Sequence, residues 1–191
     1  FQVVKTGVRV QGPSNLRNML IKGGQTCLEI DAPSSISEFI VQGCHQGVQI
    51  NRKSSLSNGL VVENTDDGIH VNATSKIHHM TIAENGGHGI VLNQGETQLF
   101  NSLLVSNDGW GLYEIERAGM LEHLSFSDNK TGHYGGNDIK ISHPPIEWER
   151  DRFIAITMTQ GDRQGTEPAL ATTAIIRAEL ARKPPWKNRK N

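Results

Sequence analysis

The sequence is poor in the residues that mark many functional classes. Aromatic side chains occupy 5% of 191 positions, and there are only two cysteines, Cys27 and Cys44. Two thiols cannot frame a disulfide-stapled domain, and they lack the nearby partners of a zinc site. They also fall at different points of the repeat set out below, which argues against a bridge and for thiols packed in a wall. Neither sign of charge dominates, with 19 Lys and Arg against 20 Asp and Glu. No domain built to neutralise phosphates dominates the chain, and nucleic acid is not an expected partner. Apolar runs last a few residues at most, so no segment is expected to insert in a membrane. The first residue is Phe1, and no charged segment followed by an apolar stretch comes after it, so the chain reads as processed, excised or incomplete at its start.

What is present is glycine, 20 of them, in a periodic pattern. Gly (or Cys), apolar, variable, apolar recurs at Gly7-Val8-Arg9-Val10, Cys27-Leu28-Glu29-Ile30, Gly47-Val48-Gln49-Ile50, Gly68-Ile69-His70-Val71 and Gly89-Ile90-Val91-Leu92. A sixth copy is Gly111-Leu112-Tyr113-Glu114, and the spacings are 20, 20, 21, 21 and 22 residues. A second column, Leu16, Ile36, Leu56, Ile77, Leu99 and Leu121, runs in register with a third, Ile21, Val41, Val61, Ile82, Leu104 and Phe126. Apolar and polar residues alternate within each unit, which is the period of a strand. A unit this short has no room for a helical hairpin, so the repeat predicts short strands stacked coil on coil about 4.8 Å apart. The expected fold is all-β, a single-stranded parallel β-helix of six to seven coils.

Two polar columns share the register: Asn64, Asn85, Asn107 and Asn129, and Asp31, Asn51, Asn72 and Asn93. Stacked amides hydrogen-bond along the axis, and Asn tolerates the left-handed backbone of a sharp corner, so both columns are expected to be structural. Asn72-Ala73-Thr74 and Asn129-Lys130-Thr131 are also glycosylation sequons, although both asparagines already belong to the columns.

The strings Asp67-Gly68-Ile69-His70-Val71-Asn72 and Gly87-His88-Gly89-Ile90-Val91-Leu92 resemble the short repeats of right-handed parallel β-helix proteins of the pectin-lyase-like superfamily, over roughly residues 3 to 141. That resemblance implies a right-handed coil. It leaves the chemistry open, because the architecture carries lyases, glycoside hydrolases, tailspikes, adhesins and interaction modules.

The repeat is already running at Gly7, so the first coil is expected to present an open edge that a further chain or partner subunit closes. The coils are assigned to residues 1–142. Beyond Phe126 the glycine-rich segment Gly132 to Gly136 reads as a break before a last coil at Asp138-Ile139-Lys140-Ile141. Residues 143–191 are expected to form a non-repetitive segment with a strand at Phe153 to Met158 and a capping helix from Thr166 to Arg182. A tail with six basic residues and one acid from Arg177 onward ends the chain.

Stacking makes neighbours of residues one period apart, so chemistry is sought down columns. Before the glycine column come Gln46, Asp67, His88 and Trp110, and before those His45, Asp66, Gly87 and Gly109. Two carboxylates at one corner are expected to repel, which raises one pKa and yields an acid and a base. A histidine beside them moves or orients a proton. Asn64-Thr65-Asp66-Asp67-Gly68 followed by Gly86-Gly87-His88-Gly89 is similar to the paired-aspartate and Gly-His-Gly motifs of polygalacturonase-type glycoside hydrolases. The resemblance implies acid and base roles for Asp66 and Asp67, assisted by His88. The chain departs from that pattern at Gln46, where the family carries an aspartate, and near Leu121-Glu122-His123, where no Arg-x-Lys motif stands.

His45, His70, Trp110, Tyr113 and Arg117 are the candidate sugar-binding residues around this corner. No cofactor is expected. The metal alternative is a mixed set of His45, Asp66 and His88. His78 and His79, adjacent on a strand, are expected to face opposite ways. The expected function is recognition or processing of a polysaccharide, outside the cell or on a cell or virion surface. The alternative is a non-catalytic module that binds protein along its flat face or open end.

Overall fold

The structure is a computed structural model that describes residues 5–116, 118–136 and 146–147. The repeat folds as expected into a parallel β-solenoid of about six coils. One seven-stranded sheet stacks β1 (Thr6–Val10), β3 (Thr26–Ile30), β5 (Gln46–Ile50), β7 (Ile69–Val71), β9 (Ile90–Leu92), β11 (Trp110–Glu114) and β13 (Gly132–Gly136) in that order. The other stacks β2 (Asn15–Lys22), β4 (Ser35–Gln42), β6 (Ser55–Val62), β8 (Lys76–Ala83), β10 (Gln98–Val105), β12 (Met120–Ser127) and β14 (Ile146–Glu147). No helix among the described residues is long and apolar enough to cross a membrane.

The three apolar columns are the core. Val8, Leu28, Val48, Ile69, Ile90 and Leu112 pair in register down the first sheet, and the Leu16 and Ile21 columns do so down the second. Most of these side chains have no exposed surface. Leu16 and Ile21 lie five residues apart yet both pack on the interior, which strict alternation forbids. The phase shift occurs at the fourth residue of each long strand of the second sheet. Asn18, Glu38, Asn58, His79, Asn101 and His123 all take left-handed backbone, with φ between 50° and 57°. Each long strand is therefore two short ones joined at a bend.

Both polar columns form ladders. In the buried one, the Nδ2 groups of Asn64, Asn85 and Asn107 each donate to the Oδ1 of the next, ending on Asn129, at 2.8 to 2.9 Å. The left-handed residues at this corner are the ones just before, Glu63, Glu84, Ser106 and Asp128, so the asparagines serve as hydrogen-bond rungs and not as the corner itself. The second ladder runs from Asn93 through Asn72 and Asn51 to Asp31. It stops because the next rung is Ile115, which offers no donor, and the buried Asn93 Oδ1 has no partner among the described residues.

Three expectations are corrected. Cys27 and Cys44 form a disulfide, with Cα atoms 5.7 Å apart. Cys27 sits in the glycine column, and Cys44 in the buried asparagine column, where its backbone N–H donates to Asn64 Oδ1. Elsewhere these two columns touch: a Cβ at Gly47 would lie 2.9 Å from Asn64 Nδ2, and one at Gly68 2.9 Å from Asn85 Nδ2. Different positions in their coils are thus the very reason the sulfurs meet. Second, Gly132 to Gly136 is no break but strand β13, pairing Trp110 with Gly132 and Tyr113 with Gly135. Its glycines make room for the Trp110 ring, which a Cβ at Gly135 would approach to 2.6 Å. Third, His78 and His79 do not face opposite ways, because the bend at His79 turns both rings to one side and brings their Nδ1 atoms to 2.8 Å. The expected coil at 138–141, the strand at 153–158, the capping helix and the basic tail lie outside the described residues.

Candidate functional site

The corner between the second-sheet strands and the first sheet holds Asp67, just before the short strand β7. Its carboxylate faces two donors. Oδ2 meets His70 Nε2 at 2.5 Å, and Oδ1 accepts the backbone N–H of His88 at 2.5 Å. Gly87 is required here, since a Cβ would run into Asp67 Oδ1. One coil on, the pattern repeats with different chemistry: His88 Nδ1 accepts the backbone N–H of Trp110 at 2.8 Å, and Gly109 is bare where a Cβ would strike that nitrogen. Asp67 and His88 thus belong to a chain of side chains, each tying down the next coil's backbone.

The arrangement fixes the rings on the outer face of the first sheet. With Nδ1 accepting, the neutral His88 ring carries its proton on Nε2. That ring stacks on Tyr113, centroids 5.1 Å apart and planes 12° from parallel. Trp110 lies against the glycines of β13. His70 donates its Nε2–H to Asp67, which leaves Nδ1 as an acceptor in the neutral ring.

The groups acting on the Asp67 carboxylate are hydrogen-bond donors and imidazoles. Burial alone would raise the Asp67 pKa, but hydrogen bonds from His70 and the His88 backbone, with both imidazoles close by, outweigh it and hold the carboxyl below its ordinary value. Asp66 stands apart from those donors, its side chain 50% exposed, with His45 Nε2 3.9 Å from its Oδ2. His45 also contacts the Thr65 hydroxyl at 3.1 Å through Nδ1.

The structure thus links Asp67, His70, His88, Trp110 and Tyr113, and sets Asp66 and His45 beside them as a separate exposed pair. Arg117 lies outside the described residues. No group of three His, Cys, Asp or Glu among the described residues converges as a metal site, so the His45, Asp66 and His88 set is not assembled.

Sequence reasoning missed two features. The Asp67 to His70 contact spans three residues around the start of β7, and alternation alone hides it. Glu114 takes the inward place held by Val10, Ile30, Ile50, Val71 and Leu92 in earlier coils. There its carboxylate is buried and accepts the Tyr134 hydroxyl at 2.8 Å and the Ala118 N–H at 3.2 Å. An acid breaking an apolar column was the visible signal.

Comparison with known proteins matches no family model, no curated protein and no solved structure.

Proposed function

We propose that the chain is a carbohydrate-recognising β-solenoid module that binds a polysaccharide on the outer face of the first sheet without cleaving it. The observation that carries this reading is the set of rings on this face: His70, held by Asp67, and His88, whose Nδ1 accepts the Trp110 backbone N–H and whose ring stacks on Tyr113, with Trp110 in the same strand as Tyr113. Rigid rings with a few fixed donors and acceptors suit a sugar, whose faces are apolar and whose edges are hydroxyls. Hydrolysis needs a carboxylic acid that still carries its proton near neutral pH. Asp67, with both oxygens engaged and its pKa lowered, is ionised there. The motif that resembles polygalacturonase-type hydrolases then serves as scaffolding for a binding face. The right-handed coil and the pectin-lyase-like kinship belong to this same proposal. The disulfide supports an oxidising compartment, hence a secreted or surface location.

The test is a panel of neutral and acidic oligosaccharides, followed by calorimetry for binding and by a reducing-end assay for cleavage. Binding without new reducing ends, weakened in Tyr113→Ala, supports the reading. New reducing ends that disappear in Asp66→Asn would replace it with hydrolysis.

A protein-binding role has one observation in its favour: Leu20 on β2, one of the two described edge strands of the second sheet, is 62% exposed. Self-association that Leu20→Lys abolishes would support that role.

A further inference from the structure

The bend in β8 lies away from the proposed sugar face and carries a second constellation. His78 and His79 are sequence neighbours whose Nδ1 atoms stand 2.8 Å apart. Two nitrogens held about 2.0 Å from one ion at a right angle are separated by about 2.8 Å, the cis edge of a square-planar site, whereas a tetrahedral ion spreads them to about 3.3 Å. From this geometry we propose that His78 and His79 form a two-imidazole site for a cation that prefers square-planar coordination, copper(II) above all, with water completing the coordination.

The surroundings prepare the pair. His78 is stacked on Phe100 of the next coil, centroids 4.9 Å apart and planes 6° from parallel, which fixes its ring. His79 is held from the other side, its Nε2 lying 3.2 Å from the Asn101 side-chain nitrogen. In the metal-free arrangement Asn101 donates to His79 Nε2, and His79 Nδ1–H donates to His78 Nδ1. Metal binding moves that His79 proton from Nδ1 to Nε2, and the Asn101 amide turns over to accept it through Oδ1. No proton is released by this exchange. Asn101 is then the outer partner that orients the ligand.

The fold supplies substitutions that it already tolerates. The His79 position is asparagine in the coils before and after, Asn58 and Asn101, with the same left-handed backbone. The His78 position is serine in the two preceding coils, Ser37 and Ser57. The experiment titrates the full chain with copper(II), following visible absorption and electron paramagnetic resonance. The expected result is one equivalent bound with two nitrogen ligands resolved. His79→Asn and His78→Ser should each lose that signal while keeping the far-ultraviolet spectrum of the fold. Asn101→Ala should weaken binding by about 10- to 100-fold, and His123→Asn, at the bend two coils further on, should leave it unchanged. Retention of the two-nitrogen signal in both His79→Asn and His78→Ser, or its loss in His123→Asn, overturns the site.

Discussion

Gly68 and Gly12 show how differently the fold uses one residue type. A Cβ at Gly68 would lie 2.6 Å from the Gly89 carbonyl oxygen and 2.8 Å from Ile82 Cγ2, whereas one at Gly12 meets nothing within 4 Å. Gly68→Ala is therefore expected to destabilise by about 1–3 kcal/mol through overpacking, and Gly12→Ala to leave the urea midpoint nearly unchanged. Asp67 supplies the pH-dependent counterpart. Its pKa is lower in the folded protein than the ordinary 3.8, so the unfolded chain binds the proton more readily. The stabilisation is complete above that ordinary value and is lost as the pH falls through the lower folded pKa. Urea unfolding of Asp67→Asn should accordingly show its largest deficit near pH 7, about 1–3 kcal/mol, with the gap closing toward pH 3. A deficit that does not depend on pH would contradict the assignment. Among candidate site residues, those in the column before the glycines were legible because stacking alone makes them neighbours. The contact between Asp67 and His70 was not, since it depends on how the chain turns into β7.

At the scale of the strand and the ladder, most of the architecture could be read directly. The inward columns needed only alternation and a fixed period. The bends in the second sheet were half visible: columns five residues apart cannot both face inward without one phase shift, yet the residues that bend are as varied as Glu38, Asn58 and His79. The disulfide was misread because the two cysteines were compared with each other and not with the residues they replace. Since Cys27 stands in for glycine and Cys44 for asparagine, Cys27→Gly combined with Cys44→Asn should rebuild the ordinary pair. Removing the bridge by Cys44→Ala alone is expected to cost about 3 kcal/mol, and the double substitution should recover part of that loss and be indifferent to reductant. The other ladder can be lengthened. Ile115 is 47% exposed, and the rung before it, Asn93, lacks a partner for Oδ1 among the described residues. Ile115→Asn is expected to add a rung and stabilise by about 1 kcal/mol, read as a rise in thermal midpoint.

For the whole molecule, stacking converts a one-dimensional repeat into faces with separate duties. The interior is aliphatic, the buried corner is an amide ladder closed by a disulfide, and the outer side of the first sheet gathers rings from successive coils. Fold class could be inferred from the sequence because it follows from period, whereas chemistry could not, because an aspartate before a glycine reads the same whether it donates a proton or only accepts backbone hydrogen bonds. As proposed above, Asp67 organises a sugar-binding face on which no bond is cleaved. The most direct measurement is nuclear magnetic resonance of the ring signals of His70, His88, Trp110 and Tyr113 while an oligosaccharide that binds is titrated in. The account predicts that these four shift together and saturate while the sugar's anomeric signals stay unchanged over hours. Fresh reducing-end anomeric signals, or shifts confined to residues off the first sheet, would contradict it.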